Sequence, residues 1–356
     1  MPVKFADELR TVAEQVLRNA GADGAAAERV AQALISSNLA GHDSHGVQMV
    51  LAYANAIREG HIVPTARPEI VRETRNSALV RGNWGFGHVA AKYALDIAVE
   101  KALEERLAWV NLVEANHTGR VGEYAEMAVE RGVAALITVG GGGEETPMAV
   151  PFGGRDALLS TNPIAFGFPG GDEPPLIADF ATTTIAGGKV LLARNRGDTL
   201  PEGCVVDRYG RPSTDPEDYY DGGALVSFGG YKGYAIALLV ELLSRVFGAS
   251  DDFAESERGG PMFRRGASFR HAGMSIVALD PGTFGGDVGA AAKSAGFLRK
   301  VRESRPAEGV ERVMAPGDPE RETRRVREAQ GIPVADEVWK AINELLEDPT
   351  RRPDVP

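Results

Sequence analysis

Apolar residues between Leu9 and Leu17 recur at helical spacing and Gly21 follows as a stop, so the pattern predicts a first helix. Asp23 stands where it can cap a second helix, which runs to about Leu39 before Gly41. Val47, Val50, Leu51, Ala54 and Ile57 share one helical face. They predict a third helix that begins at His45, with Ser44 or Asp43 as its cap, and closes at Gly60 and Pro64. The first 60 residues therefore read as a helical unit.

The texture changes at Glu69. EIVRE and SALVRG, separated by TRN, predict a β-hairpin, and GNWGFG then leads into a long helix from about His88 to Arg106. Strands at 109–115 and 133–140 bracket a helix that holds EYAEMAVERG. From Gly140 to Lys189 the chain is loop-rich, with short apolar runs at 164–168 and 176–180, and the polar segment 197–222 reads as a surface excursion. The apolar helix GYAIALLVELLSRVFG follows, then a strand at MSIVALD and two charged helices around 318–329 and 335–347. The class is α/β or α+β.

Length and composition narrow the partners. A chain of 356 residues exceeds one ordinary core and predicts two or three domains. A formal net charge of −11 argues against nucleic acid or an anionic membrane surface, both of which need clustered Lys and Arg, and points to small molecules. Cys204 is the only cysteine, which excludes an intramolecular disulfide and a cysteine-based zinc cluster. The N-terminus lacks a secretory apolar core and no run is long enough to span a bilayer, so a cytoplasmic location is expected.

Four stretches carry candidate chemistry. Gly82, Gly85 and Gly87 follow a strand and open a helix, but their order is G-x-x-G-x-G, where a Rossmann fingerprint needs G-x-G-x-x-G; a strand-to-helix turn is the plain reading. Lys232 in FGGYKGYAIALLVELL lacks the Walker spacing, yet its ammonium could meet a carboxylate or phosphate, and a solvated lysine is the alternative. GHDSHG lacks the third ligand of a catalytic metal site and the G-x-S-x-G of a nucleophile elbow. It leaves His45, beside Ser44, as a candidate proton donor or as part of a polar cap, with a helix dipole expected to lower the His45 pKa. In ANHTGRVGEYAEMA, His117 follows a strand, and the N–H groups of Thr118 to Val121, with Arg120, could line an anion; a polar connection is the alternative.

GHDSHGV (41–47), GNWGFGHVAAKYA (82–94), EANHTGRVGEYA (114–125), LLSTNPIAFGFP (158–169), IADFATTTIAGGKV (177–190), GGYKGYAIALLVELL (229–243) and APGDPE (315–320) together resemble the malate/L-lactate dehydrogenase family, whose members lack the Rossmann fold. The resemblance is nearest to its hydroxycarboxylate dehydrogenase branch. It implies a non-Rossmann, largely antiparallel-sheet domain that binds NAD(P), over 69–317 with a smaller inserted α/β subdomain around 120–170. It also implies a helical domain built from both termini, 1–68 with 318–356. The implied activity is interconversion of a 2-oxo acid and its L-2-hydroxy acid by hydride transfer, with NAD, or NADP as the alternative, and with a homodimer as the assembly. A cyclic-imine reductase is the alternative within the family, and a metal-dependent or serine hydrolase the alternative outside it.

The resemblance also implies roles residue by residue. His45 resembles the proton donor and acceptor, with Ser44 as its neighbour, and His117 is the other candidate for that role. Thr161 resembles a substrate contact. His45, His117, Thr118, Gly119, Arg120 and Val121 resemble the cofactor-binding set. So do Asp179, Phe180, Ala181, Thr182, Tyr231, Lys232, Pro316, Gly317 and Asp318; no metal is implied. Many members carry an arginine at the position of Met49 that grips the substrate carboxylate, and Arg120 or Lys232 is the expected substitute. A charge-assisted contact contributes roughly 1.5–3 kcal/mol, so a simple deletion would weaken binding by about one to two orders of magnitude.

Overall fold

A computed structural model describes residues 1–141, 148–250, 273–283 and 289–352. Its N-terminal part holds β1 (Val3–Lys4), α1 (Ala6–Asn19), α2 (Gly24–Leu39) and α3 (Met49–Arg58). Helix α1 ends where Gly21 takes a φ of +103°, a left-handed conformation that favours glycine. Helix α2 starts where the Asp23 carboxylate accepts the Ala26 N–H at 2.9 Å. Leu9, Leu17, Leu34 and Leu51 are fully buried and pack with Ile332, Val338, Ile342 and Leu345 from the other end of the chain. Each such side chain contributes roughly 1.5–3 kcal/mol of burial. β1 also pairs antiparallel with β12 (Ile332–Pro333). Residues from both chain ends thus share one hydrophobic core.

The third helix opens later than the apolar pattern suggested. Asp43–His45 form one 3-10 turn and α3 begins at Met49, without a side-chain cap. Asp43 does not cap it because its carboxylate is bound by Asn38 Nδ2 at 2.6 Å and by both terminal nitrogens of Arg327 at 2.6 and 2.9 Å. A charge-assisted fork of this kind outcompetes a single backbone N–H.

The central sheet has seven strands in the order β2-β3-β4-β11-β5-β6-β7: Glu69–Glu73, Ser77–Arg81, Leu107–Val113, Gly273–Leu279, Ala134–Gly140, Ile164–Phe168 and Leu176–Phe180. It is largely antiparallel. The TRN hairpin forms as expected, and only β3 and β4 run parallel, joined by α4 (Gly87–Glu105) as crossover. Val110, Leu112, Ile137 and Ile276 point to one face, where they are sealed under α4 and α5 (Gly122–Glu130). No Rossmann unit is formed by the glycine string, and among the described residues no helix is long and apolar enough to cross a membrane.

Two expectations are corrected. Residues 120–170 do not make a separate subdomain, because α5, β5 and β6 belong to the main sheet and its helix layer. The segment 197–222 is more than a surface excursion: β8 (Val205–Val206), β9 (Pro212–Ser213) and the nearby β10 (Ala224–Leu225) form a small antiparallel sheet. Leu200, Cys204 and Val205 are buried there with Ala149, Leu159, Val190 and Leu225. So small a core needs few apolar positions, which is why the segment reads as polar.

Helix α4 starts against the loop that follows β4, and a Cβ at Gly87 would overlap the carbonyl oxygens of Asn116 and His117. Neither carbonyl is a flexible side-chain end. Gly87→Ala is expected to lower stability by about 1–3 kcal/mol, measured as the shift in the urea midpoint; an unchanged midpoint would mean that the helix start does not press on this loop.

Candidate functional site

The turn at 42–46 is built to hold one imidazole. Asn38 on α2 binds Asp43 and also accepts the Val47 N–H at 2.7 Å, so its amide fills the space where a Cβ at Gly46 would stand. Within that clamp Ser44 Oγ lies 3.0 Å from His45 Nδ1. The neighbouring His42 turns the other way, with Nε2 3.6 Å from Glu320 Oε1 on the helix Asp318–Gln330. The two histidines therefore do not converge on a metal. With Asp43 committed to Arg327, no adjacent carboxylate among the described residues completes a serine-hydrolase triad.

The second half of the site is the loop after β4. Asn116 Nδ2 donates to the carbonyls of Trp84 at 2.8 Å, Gly85 at 3.1 Å and His61 at 3.0 Å, stapling this loop to the GNWGFG turn. His117 follows, its ring centroid 5.3 Å from that of His45. Its Nδ1 lies 2.8 Å from the hydroxyl of Tyr53 on α3. Gly119 takes φ +78°, and a Cβ there would overlap Nε2 of the buried His88. Both terminal nitrogens of Arg29 on α2 bind the Glu123 carboxylate on α5 at 2.9 Å, in a buried pair that fixes one half of the site against the other.

Burial sets the protonation of this cluster. Desolvation, with His42 and Arg120 adding like charge, lowers the His45 pKa to about 4. Desolvation and His45 lower that of His117 to about 3. The helix dipole expected to act on His45 is not the cause, since His45 precedes α3 by a full turn. Arg120 is buried, with Nη2 2.7 Å from Glu126 Oε2 and no hydrogen-bond partner at Nε among the described residues.

Asp179 at the end of β7 reaches the same cluster from the sheet: its Oδ2 accepts the Gly122 N–H at 2.7 Å, and burial raises its pKa. The first amide of α5 thus already has a carboxylate, which narrows the anion-binding role expected for 118–121. Phe180 stacks edge-on with Phe166 and Phe228. Past Ala181, Thr182 donates from both N and Oγ1 to the Thr161 carbonyl at 2.9 and 3.0 Å. The Pro316 carbonyl accepts the Ile177 N–H at 3.1 Å, so the 316–318 turn also borders β7. Asp318 itself is engaged by Arg302, Arg321 and the Ala315 amide. Tyr231 and Lys232 are exposed, the ammonium 6.0 Å from the Tyr231 ring and joined to none of the histidines. Met49 packs at the edge of the helical core.

Sequence reasoning missed Tyr53, His88 and Glu320. Tyr53 and His88 occupy helix faces that read as core, and the His42–Glu320 pair joins residues far apart in the chain; no local signal marked any of them.

A family model described as malate/L-lactate dehydrogenase matches residues 5–343. The chain is 34% identical to hydroxycarboxylate dehydrogenase B of Escherichia coli O157:H7 over 340 residues, 95% of this chain and 91% of that protein. It is 32% identical to L-sulfolactate dehydrogenase of Methanocaldococcus jannaschii over 333 residues, 94% of this chain and 93% of that protein. The solved sulfolactate dehydrogenase from Methanocaldococcus jannaschii has a TM-score of 0.85 at 29% identity, covering 98% of this chain and 97% of that one.

The depressed imidazole pKa values link stability to pH. An unfolded histidine titrates near 6.5, roughly, so as pH falls the unfolded chain takes up these protons first. The stabilisation is fully present above that value and is lost as pH falls toward about 4 for His45 and about 3 for His117. Urea midpoints taken between pH 7 and pH 4 should fall less steeply for His45→Gln/His117→Gln than for the parent chain; parallel slopes would show that neither imidazole is held neutral.

Proposed function

The chain belongs to the malate/L-lactate dehydrogenase family, and on that premise we propose that His45 exchanges a proton with the oxygen of a 2-oxo acid and its L-2-hydroxy acid in this pocket. The protein is a hydroxyacid dehydrogenase, an oxidoreductase that interconverts such acids. The observation that carries the assignment is the His45 ring, clamped by the Asn38-bound turn, hydrogen-bonded at Nδ1 by Ser44 and 5.3 Å from His117.

The donor set fits an oxo acid and a nicotinamide cofactor. It offers two neutral imidazoles and a buried guanidinium whose Nε lacks a protein partner among the described residues. When bound, the cofactor supplies or accepts the hydride; NAD is the expected form and NADP the alternative. Resting neutral, His45 is ready to take the hydroxyl proton of a hydroxy acid. To give a proton to an oxo acid it must first be charged, which an anionic substrate beside it favours. Arg120 takes the carboxylate-gripping role in preference to Lys232, because it is buried within electrostatic reach of His45 whereas Lys232 is exposed.

A positioned proton donor contributes roughly 10²- to 10⁴-fold, so His45→Ala should lose about that much turnover with pyruvate or oxaloacetate. The assay follows NADH and NADPH absorbance in parallel, with a cyclic imine as the competing substrate. For hydroxy-acid oxidation kcat/KM should hold from pH 8 to about 5 and fall below as His45 protonates, with an apparent pKa near about 4. Arg120→Ala should raise KM about 10- to 100-fold and Lys232→Ala should not. Full turnover in His45→Ala moves the proton role to His117, and an unchanged KM in Arg120→Ala removes its carboxylate role.

The same reading includes a homodimer in a reducing cytoplasm, with Cys204 a buried free thiol. The helix Tyr231–Glu241 and the π turn after it expose Leu238, Leu239, Leu242, Val246 and Phe247, a stripe that water does not favour and a second copy could cover. Sedimentation should give twice the chain mass, and Leu239→Asp/Leu242→Asp should give the single mass. A monomeric parent chain ends the dimer reading.

A further inference from the structure

Tyr53 stands on the buried face of α3 with its hydroxyl 2.8 Å from His117 Nδ1, and this is the only hydrogen-bond partner of that hydroxyl among the described residues. Two arrangements satisfy the distance. If His117 Nδ1–H donated to the phenol oxygen, the phenol proton would be a buried donor with nothing among the described residues to accept it, which is unfavourable. If the phenol donates to an unprotonated Nδ1, the buried phenol proton is satisfied and the imidazole proton lies on Nε2 of the half-buried His117 ring. Burial raises the Tyr53 pKa well above its ordinary value, so the phenol keeps its proton across the working range.

His88 closes the remaining sides. Its ring lies edge-on to Tyr53, at 5.5 Å and 69°, and to His117, at 6.3 Å and 84°. It is buried and neither of its nitrogens is hydrogen-bonded among the described residues, so the Tyr53 hydroxyl is bonded to His117 Nδ1 and not to His88. Turning the His117 ring over would set a carbon against the Tyr53 hydroxyl and forfeit the bond.

We infer that Tyr53 is a positioning residue that holds His117 in one tautomer, with Nδ1 bare and the proton on Nε2, so that His117 acts in the pocket as a neutral hydrogen-bond donor. The chemical partner of such a donor is an oxygen that gains negative charge, as the carbonyl oxygen of an oxo acid does during reduction. The inference rests on the dehydrogenase reading of this pocket and divides the labour between the two histidines: His45 moves the proton and His117 polarises. No proton leaves His117 in this scheme, so its lowered pKa suits its role.

The test is a two-bond proton–nitrogen correlation spectrum of the nitrogen-15-labelled full chain at pH 7, with the His117 ring assigned from the signals lost in His117→Gln. An unprotonated Nδ1 and a protonated Nε2 are expected. In Tyr53→Phe the signature should move to a mixture of tautomers. Turnover should fall by about tenfold at an unchanged cofactor KM, the loss of one hydrogen bond from the reacting arrangement. A His117 that carries its proton on Nδ1, that is doubly protonated at pH 7, or that keeps its tautomer in Tyr53→Phe overturns the inference. The tautomer is read without substrate or cofactor, so the spectrum tests Tyr53 even if His45→Ala retains full turnover and the proton-exchange reading fails.

Discussion

A buried fork between Arg29 and Glu123 sets the distance between the two halves of the site. Helix α2 carries Arg29 at its middle and Asn38 at its end, and Asn38 holds the turn that carries His45. Helix α5 carries Glu123 in its first turn, directly after the loop that carries His117 and Arg120. Removing two charges from water costs several kcal/mol per ion in general, so a pair of this kind persists only where its geometry is good and its partners are fixed. Here the bidentate geometry ties helices from the two hydrophobic cores to each other, and the approach of His45 to His117 follows from it.

The same burial that makes the fork demanding also defines the chemistry. Near the histidines Arg29 and Arg120 are each tied to a carboxylate, Glu123 and Glu126, and Arg324 shares Glu126. The fixed charges thus largely cancel, and the imidazoles, as the remaining groups that can change charge near neutral pH, are held neutral by desolvation. A substrate that enters with a carboxylate alters this balance more than any group already present, because its charge arrives without a partner. In such a pocket binding and protonation are coupled, and a proton donor can be silent until the anion is seated.

How much of this was legible depended on how local its cause was. Helix spacing placed α1, α2 and α4, alternation placed the hairpin at 69–81, and the seven motifs in family order pointed to the antiparallel sheet. The start of α3 was misread because Asp43 and Ser44 have the composition of a cap, and only the distant Arg327 diverts Asp43. The insertion of β11 between β4 and β5 joins residues more than 130 positions apart, and no periodicity within a strand encodes such a pairing. Tyr53 and His88 escaped for the opposite reason: each sits on an apolar helix face, where an aromatic ring is ordinarily core, and its polar atoms gain meaning only from a loop that folds over them.

The glycines show the same divide. Gly82, Gly85 and Gly87 invite a phosphate-binding interpretation, yet the atoms that approach them most closely are the protein's own. A Cβ at Gly82 would meet the Glu114 carbonyl oxygen at 2.8 Å, and one at Gly87 would overlap the next loop carbonyls along. On the facing strand-to-helix loop, Gly119 leaves room for the His88 ring. These close passages of backbone against backbone and ring let two successive strand-to-helix loops interlock, with Asn116 donating across the seam. Glycine here serves the assembly of a site from distant loops, and that is how a chain without the Rossmann crossover can still bring two imidazoles, a guanidinium and a carboxylate to one place.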